Sequence, residues 1–202
     1  MQLFTSPTTP FGRKIAVQIL ESGLSDRVTL TEVAGSPFNP GNLPVDRNPL
    51  GKIPALVTDT GQAIYDSRVI SRYLDEQSGA GLYPKDEALW PVLVLEATAD
   101  GILDAAVLMA YEMRLRPAEM CYAPWLEAQW VKIARTLDSI EADGLAQLRG
   151  PLSMAQIAIG CGLEYLDLRH DGRNWRKGRS GLAAWAKGFS ARSSMLATVP
   201  RP

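Results

Sequence analysis

The run Ser6-Pro7-Thr8-Thr9-Pro10-Phe11-Gly12-Arg13-Lys14 is the first stretch equipped for chemistry. Thr9 followed by Pro10 suits a helix start, with a hydroxyl at the N-cap and proline at the first helical position. The same geometry gathers free N–H groups and the positive end of the helix dipole around one point, which favours a bound thiolate. Cap and thiolate site are compatible, and the residues alone leave both open. A second run, Asn48-Pro49-Leu50-Gly51-Lys52-Ile53-Pro54-Ala55-Leu56, sets proline directly before a short strand. Pro54 has no N–H to give a ladder, so it belongs at a strand start or an edge. A cis Ile53–Pro54 bond would turn the preceding backbone outward, letting Ile53 offer its N–H and C=O to an extended peptide. A trans proline in an ordinary turn fits the residues equally well. The third run is Tyr65-Asp66-Ser67-Arg68, where a strand ends and a helix begins. Asp66 or Ser67 can cap that helix, and a helix N-terminus bearing a serine hydroxyl is also a seat for a carboxylate.

The elements that must position these runs follow from periodicity. Leu3-Phe4-Thr5 reads as a strand, and Phe11, Ile15, Ala16, Ile19 and Leu20 recur at helical spacing until Gly23 closes the helix. Val28 to Val33 is a second strand, and residues 34–49, rich in Gly, Pro, Asn and Ser, are loop. Ala55 to Thr58, a turn at Asp59-Thr60-Gly61, and Ala63-Ile64-Tyr65 form a hairpin. Val69, Ile70, Tyr73 and Leu74 then mark a helix, which gives the order βαβ, then ββα. After the linker Gly79 to Pro84 everything reads as helix. One long helix carries Leu95, Ile102, Leu103, Ala106 and Met109, and a second runs from Pro124 to Gly144. A third starts at Ser153 and a fourth spans Gly181 to Arg192. Ser153 and Gln156 fit a capping box. All five tryptophans fall in this half and suggest an aromatic-rich helical core.

Bulk properties exclude several function classes. The net charge is -1, and residues 1–85 carry eight basic and eight acidic side chains, so neither half has an electrostatic reason to seek nucleic acid or an anionic membrane. Two cysteines, Cys121 and Cys161, form neither a disulfide framework nor a metal-spaced cluster. With His170 the one histidine, zinc would need an unusual ligand set, and no metal is expected. The N-terminal residues lack a secretory pattern, and no apolar run approaches ~18 residues. The expectation is a reduced, cytoplasmic protein.

In their order and spacing, Thr9-Pro10-Phe11, Ile53-Pro54-Ala55-Leu56 and Asp66-Ser67-Arg68 resemble the cytosolic glutathione transferase superfamily, its bacterial members especially. Asp100-Gly101-Ile102-Leu103-Asp104 and Ser153 to Gly162 look like that family too. The resemblance implies an α/β N-terminal thioredoxin-like domain (βαβ-ββα) over 1–78, a linker over 79–87, and an all-α C-terminal helical bundle over 88–202. It implies glutathione as co-substrate, with Pro54 cis and the Ile53 backbone paired to the cysteinyl unit. Asp66 and Ser67 would hold the γ-glutamyl end, Ser67 taking its α-carboxylate, with Arg68 and Lys52 as neighbouring contacts. Asp100 resembles the residue that reaches across a homodimer toward the γ-glutamyl amine, although a solvated place on its helix also fits.

Thr9 stands where cysteine-type relatives carry their nucleophile, and Ser6 and Thr8 are nearby alternatives. The implied role is to donate a hydrogen bond to glutathione's sulfur. An ordinary thiol titrates near ~8.5, and each unit of lowering is about 1.36 kcal/mol of differential stabilisation. The β-branch of threonine restricts the angle of that bond. With no cysteine before Pro10, a mixed disulfide at that spot is excluded. The electrophile site is expected between the domains, with Phe11, Tyr111, Met113, Arg114 and Trp130 as walls, although aromatics at helical spacing also serve as core. The implied function is conjugation of the glutathione thiolate to small hydrophobic electrophiles, as in detoxification. The alternatives are a glutathione-dependent isomerase or dehalogenase on the same scaffold, and a non-catalytic binding module.

Overall fold

The computed structural model describes residues 1–200. The chain divides into two compact units, Met1–Lys85 with Arg192–Pro202, and Asp86–Ala191. The first unit holds β1 (Gln2–Thr5), α1 (Pro10–Glu21), β2 (Thr29–Glu32), β3 (Ala55–Val57), β4 (Ala63–Ile64) and α2 (Ser67–Ser78). Its sheet runs β2-β1-β3-β4, with β2 parallel to β1 and the other neighbours antiparallel. Leu3, Ile15, Ile19, Leu24, Val28, Leu56, Ile64, Ile70 and Leu74 make one core between sheet and helices. Both helices stop at glycine in the left-handed region, Gly23 and Gly79, as L-residues with a Cβ do not readily. Gln18 of α1 donates to Ser71 O of α2 at 2.7 Å, and Ser71 Oγ donates to Ser67 O at 2.8 Å. The Gln18 bond ties the two helices side by side, and the Ser71 hydroxyl is satisfied within α2.

The second unit holds α3 (Leu89–Leu115), α4 (Ala123–Ser139), a wide π-type turn (Ile140–Gly144), α5 (Leu145–Leu148), α6 (Met154–His170) and α7 (Ser180–Ser190). From Met154 to Leu163 every residue of α6 is buried, which is why its sequence is apolar on all sides. Two of its devices depart from the sequence expectations. Ser153 makes no side-chain cap, and Gln156 Nε2 donates instead to Gly150 O (3.1 Å) and Pro151 O (2.7 Å). The preceding loop has carbonyls to satisfy, and the amide reaches them first. The tryptophans do not form a common core. Trp175 is buried, Trp90 is 66% exposed, and the other three lie between.

A third departure is at the C-terminal end. The segment from Arg192 was expected within the helical domain, yet it groups with the first unit and forms α8 (Ser193–Ala197). Arg192 grips the Glu21 carboxylate through two bonds of 2.9 and 2.7 Å, and Ser194 Oγ donates to the same group. The Arg192 hydrogen bond, against the opposing effect of burial, holds the Glu21 carboxyl below its ordinary range. Arg13 adds a bond to Met195 O at 3.1 Å. Five residues of helix are too few to announce themselves by periodicity.

His170, buried at the end of α6, lies 2.9 Å from Ala106 O of α3 through Nε2. Burial, the largest effect, pushes its imidazole below the ordinary value of 6.5 despite that bond. The unfolded chain therefore binds the proton more readily than the folded one between the two values. His170 thus contributes stability that is intact above about 6.5 and declines as pH falls through and below it. Urea unfolding measured between pH 7.5 and 5.5 is expected to weaken less in His170→Gln than in the native chain, and the one imidazole resonance should titrate below 6.5.

Candidate functional site

The strand register brings the three sequence runs to one end of the sheet. Phe4 pairs with Ala55, so Thr5 and Ser6 leave β1 at the end of the sheet where Ile53 and Pro54 enter β3. Leu56 pairs with Ile64, so Tyr65 and Asp66 leave β4 at that same end. The end of β1, the start of β3 and the end of β4 are therefore neighbours.

At the end of β1 the chain turns through Ser6–Thr9, with Thr9 N donating to Ser6 O at 3.3 Å. Thr9 is the N-cap residue of α1 with Pro10 next, as its place in the sequence suggests, but its hydroxyl makes no cap bond. Ser6, Thr8 and Thr9 are half-buried, and none of their hydroxyls bonds to another described residue. Pro10 has no N–H, and the Phe11 and Gly12 N–H groups lie ahead of the first intrahelical bond, Arg13 N to Thr9 O at 3.0 Å. The turn thus presents three hydroxyls and the positive end of a twelve-residue helix. Phe11 itself is half-buried.

The second run is shaped by Asn48, which is buried. Its Nδ2 donates to Lys52 O at 2.7 Å and its Oδ1 accepts from Leu50 N at 3.1 Å. Gly51 sits at φ 59°, a left-handed turn that suits glycine. The Ile53–Pro54 bond is cis, as the resemblance implies. Pro54 is buried, Lys52 is exposed, and the Ile53 N–H and C=O make no backbone bond among the described residues.

In the third run Asp66 caps α2, accepting from Arg68 N at 3.0 Å while Arg68 Nη2 donates to its other oxygen at 3.1 Å. Burial is the largest effect on the Asp66 carboxyl and opposes its charge. The Arg68 side chain and N–H, with the charge of Lys14 on α1, outweigh it and hold the group below its ordinary range. Ser67, first residue of α2, is 3% exposed. The Tyr65–Asp66 bond is also cis, which the sequence did not announce.

Asp100, Tyr111, Met113 and Arg114 lie on α3, and Trp130 on α4. Asp100 is 5% exposed and has interactions of its own, which overturns the solvated alternative. Tyr111, Met113 and Arg114 are exposed, whereas Trp130 is half-buried beneath the Arg173 guanidinium, 5.4 Å from its ring centre. Among the described residues no group of three His, Cys, Asp or Glu is placed to hold a metal, and no helix is long and apolar enough to cross a membrane.

Comparison with known proteins decides the family. The glutathione S-transferase N-terminal domain matches residues 8–77 and the C-terminal domain residues 123–188. The chain belongs to the glutathione S-transferase family. It is 35% identical to the uncharacterized GST-like protein YibF of Escherichia coli K12, over 99% of this chain and 98% of that one. A glutathione transferase family member of Pseudomonas fluorescens Pf-5 with bound glutathione superposes with a TM-score of 0.97 at 46% identity, covering 100% and 99% of the two chains. A structure of a family member of that organism with bound S-(propanoic acid)-glutathione gives 0.92 at 46% identity, with both chains fully covered. The transferase fold, a thioredoxin-like unit of mixed sheet and helices followed by helices, accounts for the element order seen here.

One neighbour of the transferase turn escaped sequence reading. The Thr5 hydroxyl is buried without a hydrogen-bond partner, and it rests against Gly12. A Cβ at Gly12 would overlap that hydroxyl and collide with Thr9 Cγ2. Gly12→Ala is therefore expected to cost about 1–3 kcal/mol in urea unfolding and to shift the Thr9 turn. A neutral result would mean that this contact is loose.

Proposed function

We propose that this chain binds glutathione along the shared end of its sheet and adds the thiolate to small hydrophobic electrophiles. The supporting observation is the strand pairing that brings the end of β1, the start of β3 and the end of β4 to one end of the sheet. In this reading the extended tripeptide pairs its cysteinyl unit with the Ile53 N–H and C=O. Its γ-glutamyl carboxylate sits on the N-terminus of α2 against Ser67, where backbone dipole and hydroxyl both favour a negative charge. Asp66 attracts the γ-glutamyl amine, and Lys52 and Arg68 are flanking contacts. The sulfur then faces the turn before α1. There Thr9, with Ser6 and Thr8 as neighbours, donates a hydrogen bond that favours the thiolate, helped by the helix dipole. The thiolate attacks the electrophile and the leaving group, where there is one, departs with its bonding pair. Phe11, Tyr111 and Arg114 contact the electrophile.

A homodimer completes the reading. β4 is an edge strand, and a groove of about 520 Å³ lined by Ile64, Tyr65, Val69, Arg72 and Tyr73 lies open beside it. An apolar edge of this kind suits a second copy of the chain. Asp100 would then serve the glutathione of the other copy. The reading places the protein in the cytoplasm, where glutathione is abundant and thiols stay reduced.

Calorimetry with glutathione and turnover of 1-chloro-2,4-dinitrobenzene test the proposal together. Ser67→Ala should weaken glutathione at least about tenfold, the loss of one charge-assisted hydrogen bond. Thr9→Ala should raise the pKa of the bound thiol, read from thiolate absorbance. An unchanged value would move the role to Ser6 or Thr8. Binding without conjugation would favour an isomerase or a binding module, and no binding would sink the reading.

A further inference from the structure

We propose that Thr5 and Gly12 are positioning residues for Thr9: they seat its methyl group and so keep its hydroxyl off the helix cap. The seat is a property of the packing, whereas its use for a thiolate rests on the transferase reading above. A hydroxyl or carboxylate at an N-cap ordinarily accepts from the N–H of the second or third helical residue. Asp66 does so at α2, taking Arg68 N at 3.0 Å. Thr9 holds the same place on α1, with an extended backbone (φ -80°, ψ 121°) that suits capping, yet its oxygen makes no such bond. The packing supplies the reason. A Cβ on Gly12, the third residue of α1, would stand 2.5 Å from Thr9 Cγ2, 3.2 Å from Thr5 Cβ and closest of all to Thr5 Oγ1. The Thr9 methyl and the Thr5 side chain thus share the room that the missing side chain leaves. Tetrahedral geometry at Thr9 Cβ then swings Oγ1 away from Gly12, and the β-branch leaves few other rotamers. Thr5 is 7% exposed, and its hydroxyl is buried without a hydrogen-bond partner. An unpaired buried hydroxyl is costly, so its branched shape, rather than its polarity, is what the neighbours use.

One seat keeps two kinds of donor available. The Phe11 and Gly12 N–H groups precede the first intrahelical bond, Arg13 N to Thr9 O, and a capping oxygen would take one of them. With the Thr9 oxygen turned away, both amides and the Thr9 O–H remain for a negative charge, which a helix start favours. Serine at position 9 would lack the methyl, and its hydroxyl would fall back onto the cap. Threonine is therefore the specific choice for this turn, because the branch that restricts the direction of its hydrogen bond is also what sets that direction. Gly12 is required for the same reason, since any side chain there would evict the methyl.

The test compares Thr9→Ser, Thr5→Ala and Thr5→Val with the native chain. In the ligand-free protein, amide hydrogen exchange at Phe11 and Gly12, read by NMR, reports whether an oxygen caps them. Exchange at one of the two should slow about fivefold or more in Thr9→Ser, which has no methyl to seat, and in Thr5→Ala, where the seat is open. Thr5→Val keeps the branch and should return most of the way to the native rate. A helix end that was merely destabilised would exchange faster, not slower. With glutathione bound, the thiol pKa read from thiolate absorbance should rise in Thr9→Ser by about half a unit or more, roughly threefold in the acid constant, although the hydroxyl is retained. Unchanged or faster exchange in either Thr9→Ser or Thr5→Ala overturns the proposal, as does a bound thiol whose pKa in Thr9→Ser is native. Slower exchange in a chain that fails to bind glutathione supports the seat and removes only the transferase reading.

Discussion

The constraint on which the rest depends is the way one end of a four-stranded sheet meets two helix N-termini. β1 feeds α1 through Ser6–Thr9, and β4 feeds α2 through Tyr65 and Asp66. Each helix start leaves backbone N–H groups without intrahelical partners, and each therefore prefers a negative charge nearby. At α2 the chain supplies part of that charge itself through Asp66, whose carboxylate takes the Arg68 N–H. At α1 no side chain answers, because the Thr9 hydroxyl makes no cap bond. Two electropositive points at a common sheet end, with the uncommitted backbone of Ile53 beside them, suit a ligand with a thiolate and a carboxylate joined by an extended peptide.

The packing behind this end keeps it in place. Gln18 ties α1 to α2 through a buried bond to Ser71 O, which costs more to break than an exposed one. Asn48 closes the loop that delivers Ile53, using both ends of its amide. The C-terminal segment contributes as well, since Arg192 and Ser194 bind Glu21 at the far end of α1. In the helical unit a different device recurs, a charged side chain reaching across to a distant backbone. Glu141 accepts from Gly181 N at 2.9 Å and Leu182 N at 2.6 Å, capping α7 from forty residues earlier in the chain. Arg179 similarly donates to Trp175 O and Ala134 O while pairing with Asp138.

Much of this was legible from local pattern. The strand and helix order of the first eighty residues, the glycines that end α1 and α2, and the Asp66 cap all have short-range causes that spacing reveals. What the pattern missed has long-range causes. Glu141 carries no local sign that it will cap α7, and Ser153 with Gln156 carries a local sign that tertiary contacts override. Thr5 read as an ordinary strand residue, because only the folded chain sets its hydroxyl against Gly12. Arg192 read as the end of a helix, and its partner Glu21 lies at the opposite end of the sequence. For the site, residue types and order suggested a peptide-binding end, and the strand register supplied the adjacency that sequence alone could not.

The most direct measurement is a crystal structure of the chain soaked with glutathione. The expected result is an extended tripeptide with main-chain bonds to Ile53, its γ-glutamyl carboxylate on the Ser67 N–H, and its sulfur within hydrogen-bond reach of a hydroxyl among Ser6, Thr8 and Thr9. A tripeptide bound elsewhere, or one whose γ-glutamyl end points away from α2, would contradict it.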